Sequence, residues 1–191
     1  MKLILASQNK NKIAEIRAKL PQFTISGLDP TQFPNELLET GSTLEENALQ
    51  KARQVFAITG CSCFADDTGL EVEALDGEPG VLSARYAGER RNSNDNMNLV
   101  LERLKNQPNR KARFKTVIAL ILNGKEYVFE GVCGGEITEQ KSGDEGFGYD
   151  PIFLPEGRKE TFAEMSMKEK GEISHRGRAV NKLVLFLGNY S

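Results

Sequence analysis

Little cysteine, no excess of either charge and no long apolar run are the first features of this chain, and each one excludes something. The cysteines are Cys61, Cys63 and Cys133, an odd number. Cys-x-Cys is the wrong spacing for the usual zinc knuckle. The three therefore read as buried, reduced thiols of a cytosolic protein. Basic residues number 25 and acidic residues 27, for a net charge of -2. That balance weighs against non-specific nucleic-acid binding or an RNA-binding module, which need a basic surface. An anionic ligand would need a local cluster of cations instead. No segment approaches the roughly 20 apolar residues of a membrane span. Met1-Lys2 leads straight into Leu3-Ile4-Leu5-Ala6, too short for a signal peptide, so a cytoplasmic location and no membrane partner are expected. The Gly-Lys-Ser/Thr ending of the glycine-rich phosphate loop is absent. So is a nucleophile elbow, which removes Ser-His-Asp chemistry. There are no repeats, no low-complexity tract and no clear linker.

What is present suits one domain over 1–191. The chain is 39% hydrophobic, enough to bury a core, and 27% charged, enough to stay soluble. Leu3 to Ala6 reads as a buried strand. A polar turn follows, then Ile13, Ile16 and Leu20 recur at helical spacing. Thr24 to Leu28 reads as a second strand, and 29–42 as a connection punctuated by Pro and Gly. Thr43 and Glu46 have the spacing of a capping box, which starts a helix. Cys61 to Ala65 reads as a third strand that ends at Asp66-Asp67-Thr68-Gly69. A helix is expected over 92–107, a strand over 112–122, an Asn123-Gly124 hairpin and a return strand over 126–138. Ile152 to Leu154 is a further strand candidate and Phe162 to Lys170 a short helix. The last helix starts near Ser174. Alternating elements plus a long hairpin predict an α/β fold with a mixed sheet.

Four places carry chemistry. Ser7-Gln8-Asn9-Lys10-Asn11-Lys12 lies between a buried strand and a helix N-terminus. Backbone N–H groups and the helix dipole suit phosphate there, with Ser7 and Asn9 as donors and Lys12 one turn in. The same residues also read as an ordinary Asn cap with solvated lysines. Glu39, Asp66 and Asp67 form an acidic set. Magnesium takes hard oxygen ligands and keeps waters, so one or two carboxylates plus substrate phosphates suffice. An Asx-turn with solvated acids is the alternative. Gly146-Phe147-Gly148-Tyr149-Asp150-Pro151 can offer an aromatic face to a base, or bury both rings in a core. Ser174-His175-Arg176 holds the single histidine beside an arginine at a helix start, where donors can converge on an anionic or keto group. A lone histidine also serves structure. Together the four make the parts of a nucleotide phosphohydrolase.

These motifs, with Glu46-Asn47-Ala48, Lys51-Ala52, Ala65-Asp66-Asp67-Thr68-Gly69-Leu70, Pro79-Gly80 and Ser83-Ala84-Arg85-Tyr86, occur in one order along nearly the whole chain. In this the sequence resembles the inosine triphosphate pyrophosphatase family, the non-canonical purine triphosphatases. Phe147-Gly148-Tyr149-Asp150-Pro151 and Ser174-His175-Arg176 are the most telling matches. The resemblance implies an elongated α/β fold of two lobes around a long mixed β-sheet, with the substrate in a cleft between lobes and a homodimer as the assembly. It implies Mg2+ as cofactor, with Glu39 and Asp67 as ligands. Asp67 would also orient or deprotonate the attacking water. Ser7, Asn9, Lys12, Lys51 and Lys170 would hold the triphosphate. Thr68 belongs to the substrate-binding set. Phe147 and Tyr149 would form the base platform, with Asp150, Ser174, His175 and Arg176 around the base. Arg85 lies in a matched segment with no role assigned. One departure stands out: Gly143-Asp144-Glu145-Gly146 is more acidic than the family's glycine-rich run.

The implied reaction is attack of water on the α-phosphorus of inosine, deoxyinosine or xanthosine triphosphate, giving monophosphate and pyrophosphate. Two rivals remain at this stage. A pyrophosphatase of the Maf type would use arginines where this chain has Asn9 and Lys12. A nucleotide sensor without turnover would not need Asp67 beside a metal ligand.

Overall fold

The computed structural model describes residues 2–190. Six strands and five helices follow one another as β1 (Lys2–Leu5), α1 (Lys10–Lys19), β2 (Thr24–Ser26), α2 (Leu44–Thr59), β3 (Cys63–Val72), α3 (Ser93–Arg103), β4 (Lys111–Leu122), β5 (Lys125–Ile137), β6 (Phe153–Pro155), α4 (Met167–Ile173) and α5 (His175–Gly188). The sheet order is β2-β1-β3-β4-β5-β6. β1 runs parallel to β2 and to β3, whereas β5 and β6 are antiparallel. The fold is therefore α/β with a mixed sheet, as the alternation of elements predicts.

The chain divides into two compact units. Unit 1 takes the chain up to Asp67, Thr116–Gly131 and the chain from Arg178 onward; unit 2 takes Thr68–Lys115 and Val132–Gly177. Each has its own core. Leu3, Leu5, Ile16, Phe64, Ile118 and Leu183 are central in unit 1. Leu70, Val100, Phe114, Phe153 and Phe162 are central in unit 2.

Local signals explain most boundaries. Thr43 and Glu46 close a full capping box on α2, and Gly60 ends that helix in the left-handed region. Asn92 caps α3. Asn123 and Gly124 both have positive φ, 51° and 77°, as a two-residue hairpin turn of this kind needs. Three expectations fail. β3 does not stop at Ala65 but continues through Asp66 and Asp67 to Val72. Their charges are met by lysines within the fold, so the strand has no reason to end where the acids begin. The short helix expected over Phe162 to Lys170 forms instead at Met167–Ile173. Ser166 and Glu169 make a second capping box that sets its start, while Phe162 is wholly buried. Cys63 and Cys133 are buried as expected, but Cys61 is exposed.

In unit 1 the chain leaves β1 through α1 to β2 on one side, then passes through α2 to β3 on the other. Right-handed crossovers in opposite directions place α1 and α2 on opposite faces of the sheet. That reversal makes the carboxyl ends of these parallel strands the expected ligand position in an α/β unit. Ser7 to Asn9 leave β1 there, and the segment 27–43, with Glu39, leaves β2.

Candidate active site

Successive residues of a strand point to opposite faces. Asp66 and Asp67 are neighbours on β3, so each meets a different helix. Asp66 Oδ2 lies 3.2 Å from Lys12 Nζ of α1. Asp67 Oδ1 lies 2.9 Å from Lys51 Nζ of α2. The two acids therefore do not share one ligand position. The carboxylate that joins Asp67 is Glu39, whose Oε1 is 2.5 Å from the same ammonium. Lys51 Nζ also donates to the Asp66 carbonyl at 2.9 Å.

Burial by itself would lower the Lys51 pKa, but the charges of Asp67, Glu39 and Asp66 outweigh it and hold the ammonium above its ordinary value. Burial pushes the Asp67 carboxyl up, against the pull of Lys51 and Lys12. A base raised this way holds a proton more readily than a free carboxylate, which suits it to take one from water. Among the described residues, no group of three or more His, Cys, Asp or Glu side chains gathers as a metal site. Glu39 and Asp67 nonetheless converge on one cation. Two hard carboxylates suit magnesium, which completes its shell with waters and phosphate oxygens.

The turn after β1 is a capped helix start. Asn9 Oδ1 accepts from the amides of Asn11 at 3.0 Å and Lys12 at 3.2 Å. Ser7 Oγ accepts from the Asn9 amide at 3.1 Å. The amides on which the phosphate reading drew are thus engaged by Asn9, and the ordinary cap is present. Of its two lysines, Lys12 reaches Asp66.

In unit 2 a second cluster forms around Phe147. Asp150 Oδ2 accepts from the Phe147 amide and from Lys170 Nζ, both at 2.7 Å. The side chains of Asp150 and Lys170 are only 3% and 5% exposed, so this ion pair is dry. The Lys170 ammonium stands 4.9 Å and the Arg176 guanidinium 5.4 Å from the centre of the Phe147 ring. Arg176 Nη2 also donates to Thr68 Oγ1 at 3.1 Å. Gly146 permits the turn: its φ is +75°, and a Cβ there would sit 2.2 Å from Asp150 Oδ2.

The structure divides the residues singled out by sequence. Lys170, grouped with the triphosphate by resemblance, stands beside Phe147 and Asp150. Tyr149 is in the core, 5% exposed, with its hydroxyl donating to the Ser83 carbonyl at 2.7 Å. Burial raises its pKa. Phe147 is half-buried and is the ring that keeps surface. Ser174 acts as the cap of α5, its Oγ accepting from the Gly177 amide at 3.1 Å. A Cβ on Gly177 would come within 1.9 Å of the Gly171 carbonyl, so α4 and α5 meet there only because that residue is glycine. His175 stacks on Phe114, with ring centres 4.4 Å apart and planes at 14°. Arg85, at the end of a 3₁₀ turn over Gly80–Arg85, enters neither cluster through any hydrogen bond or ion pair described above. Sequence reasoning gave no role to Ser83 or Asn96, both buried and polar. A serine in a matched segment and an asparagine inside a helix carry no spacing signal of their own. A separate cavity of about 880 Å³ in unit 2, lined by Glu71, Arg113, Gly135, Glu156 and Arg158 among others, contains none of the predicted residues.

Comparison with known proteins shows the family. The family model described as the Ham1 family matches residues 3–186. A dITP/XTP pyrophosphatase of Flavobacterium johnsoniae is 56% identical over 185 residues, covering 96% of each chain. A dITP/XTP pyrophosphatase of Flavobacterium psychrophilum is 52% identical over 99% of this chain and 100% of its own. Among solved structures, the Staphylococcus aureus Ham1 protein superposes with a TM-score of 0.90 at 40% identity, over 100% of both chains. A model match over nearly the whole length, close relatives and a shared fold agree, and the chain belongs to the Ham1 family.

Proposed function

We propose that this chain hydrolyses inosine, deoxyinosine and xanthosine triphosphates to the monophosphate and pyrophosphate. The observation that carries the reading is Asp67, a buried carboxylate raised by desolvation and held 2.9 Å from Lys51 beside Glu39. The name shared by the Flavobacterium relatives supports the substrate class.

The phosphates fall to the charges of unit 1. Lys12 and Lys51 counter the negative charge that shifts onto the leaving pyrophosphate, with Ser7 and Asn9 at the turn beside them. Asp67 orients water toward the α-phosphorus and takes its proton; the P–O bond to the β-phosphate breaks, and pyrophosphate leaves. Glu39 and Asp67 would hold Mg2+, which neutralises phosphate charge when bound.

The base falls to unit 2. Phe147 gives it a face, and Lys170 and Arg176 supply donors. A six-keto group accepts from such donors, and a six-amino group does not. A site built on that hydrogen bond can reject the wrong base by about 10⁴. Asp150 holds Lys170, Thr68 engages Arg176, Ser174 sets the start of α5, and Tyr149 and His175 pack the supporting core. In this reading 1–191 is one functional domain. The family resemblance supports a homodimer, a cytoplasmic location and no nucleic-acid partner; sedimentation of the purified chain tests the first.

Cleavage in heavy-oxygen water tests the register. Label in the monophosphate, with unlabelled pyrophosphate, is the expected result. Orthophosphate as the primary product, or label in pyrophosphate, would overturn the assignment of Asp67 and Lys12. In a panel of purine triphosphates with magnesium, inosine or xanthosine triphosphate should be turned over at least ~100-fold better than adenosine triphosphate, the scale of one or two buried hydrogen bonds.

A further inference from the structure

The 3₁₀ turn over Gly80–Arg85 contains no residue assigned to the reaction, yet three buried polar side chains converge on it. Ser83 is the centre. Its Oγ donates to the Gly80 carbonyl at 2.6 Å and accepts from the Leu70 amide at 2.9 Å. Its carbonyl accepts from the Tyr149 hydroxyl at 2.7 Å and from Asn96 Nδ2 at 3.4 Å. Asn96 also donates to the Ala84 carbonyl at 3.1 Å and accepts from the Ala87 amide at 2.7 Å. Asn96 thus grips both sides of Arg85 and fixes where the turn ends.

The partners of Ser83 lead to two parts of the base cluster. Leu70 lies on β3 two residues after Thr68, whose Oγ1 accepts from Arg176. Tyr149 lies between Phe147 and Asp150, in the loop that supplies the aromatic face and the carboxylate holding Lys170. One serine therefore ties the strand that engages Arg176 to the loop that engages Lys170. Packing alone does not require this. A buried polar group is costly unless paired, and apolar residues of similar shape fill a core as well. Here the paired groups sit among Leu70, Leu75, Met97, Val100 and Tyr149, which already form a continuous apolar core. What hydrogen bonds add to packing is direction, and direction fixes the distance between two donors that must address one base.

We infer that Ser83, clamped by Asn96 and engaged by Tyr149, is a positioning residue for base selection, setting Lys170 and Arg176 in register beside the Phe147 ring. This rests on the base-reading assignment proposed above. Loss of the joint leaves both donors present but misplaced. Discrimination should fall, and the phosphate chemistry of unit 1 should be touched far less.

Steady-state kinetics with inosine and adenosine triphosphates, alongside thermal unfolding, test this. Ser83→Ala should lower the ratio of the two kcat/KM values about tenfold, the scale of a buried donor left unpaired. The loss should lie in a raised KM for inosine triphosphate, with kcat little changed. Ser83→Thr, which keeps the hydroxyl, should restore most of the ratio. Tyr149→Phe, which removes only the hydroxyl from the Ser83 carbonyl, should lower the ratio about fivefold and remains informative if Ser83→Ala does not fold. Val100→Ala, a core truncation in the same unit, sets the baseline for a purely structural loss: a lower Tm with the ratio intact. If Ser83→Ala and Tyr149→Phe behave as Val100→Ala does, the positioning role is wrong and the proposed function stands. If the unaltered chain shows no preference among purine triphosphates, the base-reading assignment falls and this inference falls with it.

Discussion

In unit 1 the functional charges sit on regular elements: Lys12 on α1, Lys51 on α2, Asp66 and Asp67 on β3. In unit 2 they sit where regular structure begins or is interrupted: Asp150 in a glycine-flanked turn, Lys170 in the short helix α4, Arg176 in the first turn of α5. The balance of sign differs as well. Two ammonium groups face three carboxylates around Asp67, a net of -1, when Glu39 is included. Around Phe147, Lys170 and Arg176 stand with Asp150, a net of +1 over these three residues. A set one charge negative invites a further cation to arrive with a polyanion. A set one charge positive, drawn over an aromatic ring, invites a neutral acceptor. The difference teaches that one chain can keep two clusters of opposite net charge apart by giving each its own core.

The sharpest way to break the comparison is to remove the dry partner in unit 2. Asp150→Ala leaves Lys170 buried with its carboxylate gone, and a loss of about 3–5 kcal/mol is expected in denaturant unfolding. Glu39→Ala, at a carboxylate whose side chain is 29% exposed, should cost about 1 kcal/mol or less. Equal losses would show that the two clusters are not different in kind.

Next in size is Asp67→Asn, which keeps shape and removes charge. Turnover should fall by about 100-fold or more while calorimetry shows triphosphate binding preserved. Normal turnover with binding lost would make Asp67 a ligand holder only. Lys12→Ala should weaken triphosphate binding about tenfold, as loss of one charge-assisted contact does, and leave the ratio of inosine to adenosine turnover unchanged. A change in that ratio would mean that unit 1 also reads the base.

The smallest effect expected is on the thiols. Cys63 is buried and its pKa is pushed up to about 12, so at pH 8 it stays protonated and unreactive. Cys133 is buried too, and Cys61 is exposed. A thiol reagent at pH 8 should modify one cysteine in the folded protein, with activity kept. Modification of two or three before unfolding would show that the cores open more easily than the burial of Cys63 and Cys133 implies.

How much of this was legible beforehand depended on whether the signal was local. Capping boxes, the Asn-Gly turn and apolar spacing are short-range, and they located α2, α3, the β4–β5 hairpin and α5 closely. The end of β3 was not legible, because it depends on lysines 16 and 54 residues away along the chain from Asp67 and Asp66. The sequence offered both a phosphate turn and an Asn cap; the cap is formed, and Lys12 pairs with Asp66. Phe147 and Tyr149 are two apart and equal in pattern, yet only the fold separates them, since the Ser83 carbonyl draws the tyrosine inward. Ser83 and Asn96 act through backbone groups, and no motif of side-chain types announces that.

The sequence has no tryptophan and four tyrosines. With excitation at about 280 nm, emission from the chain therefore comes from tyrosine, and Tyr149 is a buried emitter whose hydroxyl is tied to the Ser83 carbonyl. A single tryptophan introduced as Phe147→Trp would be excited at wavelengths where nothing else in the protein absorbs. The ring beside Lys170 and Arg176 would then become an optical probe of its own surroundings, and, if the proposed base site is right, quenching on substrate binding would be readable in a stopped-flow trace before any phosphate bond breaks.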